Sequence, residues 1–356
     1  MATEIRSFDE ATLGDASRVV AEMFSLGSCS LLDKILANPI RSNSGAFSSG
    51  DIAYQDGVPM AFQAAIVRRI YLGKSSFVGV VGSTLCSKPQ TSPVLLMQLM
   101  KRTIAPRYGS KLFLANTAIP TSAKMNKMLG VKGVGPETNQ IVRFAVLRWG
   151  AFLNILCKGH IPLLCRKALD LAGRSLKFWR KQKTGLKVSL DKKFDSAYDD
   201  FWKRYLDKNT GIVASRTEEE LTWMFGEDVA KGRAVLISLR DNIGIVGYII
   251  ARAMDKSLER WMLVDWIAWE NNSDVLQDLF SVLMVRLGEM YVPVWLESIG
   301  FNLLADKVLQ RCMMFRRKLK ENVYLYKPFD AEISKSLAEG RDIGWFFGPY
   351  DGDRCL

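Results

Sequence analysis

Two short, mostly apolar runs flank a tight Asp-Gly turn in "IAYQDGVPMAF", residues 52–62. Short extended runs pinched at Asp-Gly predict two antiparallel strands joined by a hairpin. The first strand covers 52–55, and the second is long, from about Met60 to Tyr71. A third strand follows from Ser76 to Cys86. Ahead of them stand a strand-like start, "EIRSF", and two stretches of helical periodicity, 15–26 and 31–37. After them, "TSP" opens an apolar-periodic run from Ser92 to about Ala105, where Thr91 or Ser92 offers a cap and Pro93 suits the first turn. The strand "KLFLAN", a helix from about Thr121 to Leu129 closed by Gly130, and a final strand pair through Arg148 complete the first half.

The same order returns in the second half. Helical text at 195–206 and 218–225 precedes "RAVLISL", a turn at Asp241-Asn242, and strands 245–253 and 261–269. A helix at 275–288, the strand "VPVWLES", a helix at about 304–313 and the strand "KENVYLY" follow. Spacing agrees as well as order. Asn116 lies 54 residues after Phe62, and Ser298 lies 50 after Tyr248. A duplicated α/β fold accounts for both observations, each copy a mixed, mostly antiparallel sheet flanked by helices. The expected division is an N-terminal domain, 1–148, a connector, 149–193, and a C-terminal domain, 194–356, ending in a strap.

Composition narrows the chemistry. The 356 residues carry a net charge of +12 and one histidine, His160, between Gly159 and Pro162 in what reads as a surface turn. A single imidazole excludes a His-rich metal site and most Ser-His or Cys-His designs. The six cysteines contain no C-x-x-C, which argues against a zinc cage or disulfide framework and for reduced, mostly buried thiols. No metal is expected. The N-terminus lacks the apolar core of a secretory signal, and no apolar run is long enough to span a bilayer, so the expected location is the cytoplasm.

Positive charge concentrates in the connector, where residues 148–193 hold twelve Lys and Arg against Asp170 and Asp191. Cys165, Leu169, Ala172, Leu176 and Trp179 form one row at helical spacing, opposed by Lys167, Asp170, Arg174, Lys177 and Lys181. Such a segment fits a solvated helix with a wet basic face, peripheral docking of 149–181 on an anionic membrane, or contact with nucleic acid. Nucleic acid is the least favoured, because no recognised binding module surrounds the basic residues.

With "GVVGSTLCSKPQ" leading into the first capped helix and "LANTAIPTSAKMNKMLGVKGVG" beyond it, the order of elements resembles the GNAT superfamily of acyl-CoA-dependent N-acyltransferases. Two copies cover nearly the whole chain, as in tandem double-GNAT acyltransferases and the related Fem-type peptidyltransferases. The residues carrying the resemblance are Leu85, Cys86 and Pro89, then Asn116, then Leu129-Gly130-Val131. It implies that the fourth and fifth strands splay so that pantetheine pairs beside the fourth, with pyrophosphate on the amides opening the next helix. The family's glycine-rich loop is replaced here by "KPQTSPVLL" and "WENNSDVLQ". The first is the better cofactor candidate: Lys88 is cationic and Gln90, Thr91 and Ser92 are neutral donors, whereas Glu270 and Asp274 repel phosphate.

The resemblance therefore implies acyl-CoA as co-substrate, acetyl-CoA foremost, held by Leu85, Cys86, Lys88, Gln90, Thr91, Ser92 and Asn116. Where family members often place an acidic Tyr, this chain has Asn126. Asp265, interrupting the apolar "MLVDWIAW", is the candidate catalytic carboxylate if buried; alternatively it faces solvent or pairs with an Arg. The aromatic and acidic end, "GWFFGPYDGDRCL", packs as a strap or lines an acceptor site. The expected activity is acyl transfer to an amine, either a small-molecule acceptor such as an amino sugar or a cell-envelope precursor at the inner membrane surface. The alternatives are Fem-like aminoacyl transfer from charged tRNA and a non-catalytic binding protein.

Overall fold

The computed structural model describes residues 2–23, 29–44, 48–107, 109–116, 120–133, 141–175, 183–299, 303–312, 315–318, 324–339 and 345–346. The first half of the chain runs β1 (Thr3–Ser7), α1 (Leu13–Met23), α2 (Cys29–Leu36), α3 (Pro39–Ser44), β2 (Gly50–Gln55), β3 (Val58–Leu72), β4 (Ser75–Ser87), α4 (Pro93–Ile104), β5 (Leu112–Asn116), α5 (Pro120–Met128), β6 (Lys132–Gly133) and β7 (Ile141–Val146). Helices α6 (Trp149–Leu156) and α7 (Leu163–Ser175) come next. The second half runs β8 (Lys187–Asp191), α8 (Ser196–Lys208), β9 (Ile212–Ala214), α9 (Glu218–Leu221), α10 (Glu227–Ala230), β10 (Ala234–Arg240), β11 (Ile245–Ala253), β12 (Arg260–Ala268), α11 (Ser273–Glu289), β13 (Trp295–Ile299), α12 (Leu303–Cys312), β14 (Phe315–Lys318), β15 (Tyr324–Pro328), α13 (Ala331–Glu339) and β16 (Trp345–Phe346).

These elements form two sheets, and each takes in strands from the other half of the sequence, β9, β15 and β16 in the first and β7 in the second. One sheet has the order β1-β2-β3-β4-β5-β15-β6, the other β8-β10-β11-β12-β13-β7-β14. Position by position the two orders correspond, and the exchange is reciprocal: β15 lies between β5 and β6, and β7 lies between β13 and β14. The compact units are accordingly discontinuous, residues 1–136, 209–224 and 321–356 in the first and 137–208 and 225–320 in the second. They cut across the linear division at 148 and 193. The connector has no separate existence as a unit either, since α6, α7 and β8 all lie within the second.

The Asp-Gly turn forms as its sequence predicts: Asp56 and Gly57 both have positive φ, 49° and 79°, the pairing a two-residue I′ hairpin needs. In the second copy the connection is longer, with the Asp241 carboxylate accepting from the amides of Ile243 and Gly244. Strand β3 outruns β2, and its far end, Ile70 to Leu72, pairs with β9 instead. Strand β9 in turn pairs with Trp345 and Phe346 of β16; residues 347–356 of the expected strap lie outside the described residues.

Alternation along β3 divides the first unit's core into two layers. Phe62 and Ala64 join Phe8, Val19, Val20 and Leu32 beneath α1 and α2, while Ala61 joins Leu95 and Leu99 of α4 on the opposite face. The C-terminal end of α4 is tied to β2, because buried Asp51 accepts from Arg102 at 3.1 Å and from the Thr103 hydroxyl at 3.3 Å and pairs with Arg107 at 2.8 Å. In the second unit α11 lies so close to β11 that a Cβ on Gly247 would sit 2.9 Å from Val275 Cγ1. Aromatic packing closes the other face, with Tyr198 and Phe201 of α8 against Tyr248.

The exchange makes each unit depend on both halves of the chain. A fragment ending at Arg148 keeps β1 to β5 but leaves the outer edge of β5 without β15. We expect fragment 1–148 to lack a cooperative thermal transition by circular dichroism, and co-expression with 149–356 to restore one. Cooperative unfolding of 1–148 alone at the midpoint of the full chain would contradict this.

Candidate functional site

Strands β4 and β5 run parallel, paired from Gly79↔Leu112 to Gly82↔Ala115, and there the ladder stops. Strand β4 continues to Ser87, so its β5-facing edge from Ser83 onward has no strand partner among the described residues. The opening has a local cause. The β3–β4 register shifts between Phe62↔Cys86 and Ala64↔Ser83, placing Thr84 and Leu85 opposite Gln63. Thr84 adopts a positive φ of 45°, and a bulge of this kind bends and twists its strand. Holding a non-glycine residue there costs about 1–3 kcal/mol. Beyond β5, the exchanged β15 pairs with every residue from Leu112 to Asn116 and fixes the other arm of the fork.

Helix α4 begins just past the open end of β4. Lys88, Pro89, Gln90 and Thr91 make a turn closed by the Thr91 amide to the Lys88 carbonyl at 3.0 Å. The Met60 carbonyl pins it, accepting from the Lys88 amide at 2.8 Å and the Thr91 hydroxyl at 3.0 Å. At the cap position Ser92 makes no side-chain hydrogen bond to the helix, Pro93 has no N–H, and the first turn carries no acid. The opening amides of α4 therefore keep their positive end available to an anion.

The sequence-predicted cofactor residues fall around this fork in different ways. Gln90 is exposed and Ser92 half-buried at the helix start. Lys88 is less free than expected, for its ammonium pairs with Glu22 at 2.7 Å. Leu85 packs toward α4, beside Leu95 and Leu99. Cys86 faces the opposite way into the α1–α2 core, and burial, eased only slightly by a hydrogen bond from the Phe62 backbone, pushes its thiol up to about 12. What Leu85 and Cys86 offer a ligand is thus their backbone edge. Asn116 ends the β5 arm. Asn126, at the family's Tyr position, is buried and donates to the Ser122 carbonyl at 2.9 Å, a helix-internal contact.

The second unit repeats the scaffold with its entrance filled. Pairing of β12 with β13 ends at Met262↔Glu297, and a register shift leaves Val264 as the extra residue, two positions past the last parallel pair, as in the first unit. At the start of α11, however, the Asn272 side chain accepts from the amides of Asp274 and Val275 at 2.9 and 3.3 Å. Asp278, fully buried one turn on, accepts from the amides of Lys183 and Thr184 and from the Thr184 hydroxyl at 2.7 Å. Lys183 also pairs with Asp274. The cap occupies the opening amides, and the acids disfavour a phosphate there. The Asn272 cap was legible in "ENNSDVLQ" as an N-cap residue before an apolar run; Thr84 gave no signal.

Asp265 sits beside the β12 bulge, 1% exposed, and accepts from the Tyr248 hydroxyl at 2.7 Å. It is buried and not on an exposed face of the strand, and the Tyr248 hydroxyl is one of its partners. The rings of Tyr248 and Tyr198 pack edge to face at 5.6 Å, and the Tyr198 hydroxyl donates to Asp191 at 2.7 Å. Burial pushes the Asp191 carboxyl up, but donors Ser189, Ser238 and Tyr198, with Arg240 nearby, outweigh it and hold the group below its ordinary range. His160 lies on the surface, its Nδ1 2.7 Å from the Cys157 carbonyl. A pocket of about 380 Å³ lies elsewhere, at the far end of α4 between Ile104, Pro106, Leu129 and Phe329. It lies away from the open β4 edge.

No family model matches the chain, and no curated protein matches its sequence. Solved structures do match it in fold. A GCN5-related N-acetyltransferase from Anabaena variabilis superposes with a TM-score of 0.58 at 8% identity, covering 92% of this chain and 73% of that one. A putative acetyltransferase from Pyrococcus horikoshii gives 0.53 at 11%, covering 98% and 95%. The N-myristoyltransferase of Saccharomyces cerevisiae, solved with bound myristoyl-CoA, gives 0.52 at 12%, covering 92% and 78%.

Because the Asp191 carboxyl is held below its ordinary range when folded, its contribution to stability is complete above that range and is lost as pH falls through the lowered value. Asp191→Asn should therefore lower the thermal midpoint at neutral pH and flatten its decline on acidification. An acid limb identical to that of the wild type would contradict the assignment.

Proposed function

The chain carries the GCN5-related N-acetyltransferase fold twice, and from this premise we propose that it transfers an acyl group from acyl-CoA to an amine, with the thioester bound in the first unit. One observation carries the choice of unit. The open β4 edge leads directly to a helix start free of caps and acids, while the equivalent start in the second unit is capped by Asn272 and guarded by Asp274 and Asp278.

Residues 83–87 suit an amide-bearing chain such as pantetheine, because an unpaired strand edge presents alternating donors and acceptors. The amides opening α4 suit its pyrophosphate without a glycine-rich loop. The bulge at Thr84 turns backbone out of the ladder, and an N–H freed there is the candidate donor for the thioester carbonyl as its oxygen becomes negative. In the transfer the amine nitrogen bonds to the carbonyl carbon, the C–S bond breaks, the thiolate is protonated and the ammonium loses its proton. Asn126 cannot supply the acid. The ammonium proton is released to water; Asp265, buried in the second unit with the Tyr248 hydroxyl on its carboxylate, is not placed at this site. The acyl group is acetyl or longer, and the acceptor is an amino sugar or another envelope precursor.

Thermal unfolding with acetyl-CoA and myristoyl-CoA, against ATP as control, tests the reading. Ligand at about 100 times its dissociation constant stabilises the folded state by about 2.7 kcal/mol. Changing Thr91 and Ser92 together to Asp should abolish the shift by placing negative charge at the phosphate position. No shift with any thioester would overturn the proposal and direct attention to charged tRNA or a non-catalytic role.

A further inference from the structure

Helix α7 wears its apolar side outward. Leu164, Ala168 and Leu171, at spacings of four and three, are all exposed, Leu164 at 80% and Leu171 at 68%. The half-buried positions between them are Arg166, Leu169 and Asp170, so two charged residues lie on the side turned toward the protein. Of the expected row, Leu169 is half-buried while Cys165 and Ala172 are exposed; Leu176 and Trp179 lie outside the described residues. The inversion has a packing cause. A Cβ on Gly150 would sit 2.0 Å from the Arg166 carbonyl oxygen, so α6 and α7 cross with their backbones nearly touching. Asp170 accepts from the Gly150 amide at 2.7 Å and pairs with Arg148 at 3.6 Å, which locks this arrangement.

The apolar exposure continues round the tip of the hairpin. Ile155 and Leu156 end α6 and Leu163 starts α7, each more than two-fifths exposed, with Lys158 in the connecting turn and Lys167 beside Leu164. The hairpin's one acid, Asp170, is spent at its base, so the tip presents leucines among cations and no anion. That base is anchored in the second unit's sheet, Trp149 packing edge-on to Phe315 at 5.6 Å and Phe152 to Trp295 at 5.9 Å. No helix among the described residues is long and apolar enough to cross a membrane.

From these features we propose that the α6–α7 hairpin is a pre-formed wedge that docks the protein on an anionic phospholipid bilayer. Leucines 156, 163, 164 and 171 enter the boundary between headgroups and acyl chains, and Lys158 and Lys167 meet the lipid phosphates. Apolar side chains ringed by cations, with no exposed acid, match an acidic lipid surface and not a neutral one. The inference stands apart from the catalytic reading, since it uses none of the fork residues.

Co-sedimentation of the full chain under reducing conditions tests it, with vesicles of phosphatidylcholine alone and of phosphatidylcholine mixed with phosphatidylglycerol. We expect binding to the mixed vesicles, weak binding to phosphatidylcholine, and release at high salt. Leu164→Glu with Leu171→Glu should weaken binding about tenfold for each leucine removed, and Lys158→Glu with Lys167→Glu about fivefold for each cation. Unchanged thermal midpoints would show that these surface variants fold. The proposal is overturned if the wild type ignores the mixed vesicles, or if both double variants bind them as the wild type does. It is equally overturned if the leucine variant abolishes a self-associated dimer and leaves vesicle binding unaltered, which would make a second copy the cover.

Discussion

The reciprocal exchange of β7 and β15 is the constraint on which the rest of the structure depends. Each sheet contains a parallel pair, β4–β5 or β12–β13, that holds together for only a few residues before a bulge turns one strand away. A short parallel pair is a weak edge. In each unit the outer strand is held from its other side by a strand supplied by the opposite half of the chain, β15 along β5 and β7 along β13. Continuous antiparallel pairing on one side permits the opening on the other.

The two copies differ at the helix start beyond the bulge. In the first, Ser92 leaves the amides of α4 unmatched and the turn before it is fixed by the Met60 carbonyl, so the entrance is both open and ordered. In the second, Asn272 satisfies the amides, and Asp278 draws residues 183–184 across the helix. The doubled scaffold thus carries one helix start without a side-chain cap and one that is capped. The second copy retains a buried carboxylate at its bulge, Asp265, supported by a tyrosine.

Much of this was legible in the chain because it is written locally. Asp56-Gly57 sits where both residues need positive φ, and "TSP" stands where α4 begins. Glu270 and Asp274 stand in the sequence beside the start of α11. The exchange was not legible, since an alternating strand such as "IVRFAV" reads the same whichever sheet receives it. Nor was the outward face of α7: helical periodicity finds two rows but not which one meets a neighbour, and here the close approach at Gly150 decided it. The bulge at Thr84 left no trace, because a threonine with positive φ is imposed by the strands around it and not by its own preference. Asp265 could be picked out as a carboxylate in an apolar run, but its partner, Tyr248, lies on a neighbouring strand that only the register brings beside it.

Amide hydrogen exchange on the full chain, with and without saturating acyl-CoA, tests the central claim most directly, because it reports where the ligand sits as well as whether it binds. Protection confined to residues 83–96 and 114–116, with 263–276 unchanged, is the predicted result. Protection centred on 263–276, or none in either fork, would contradict the account.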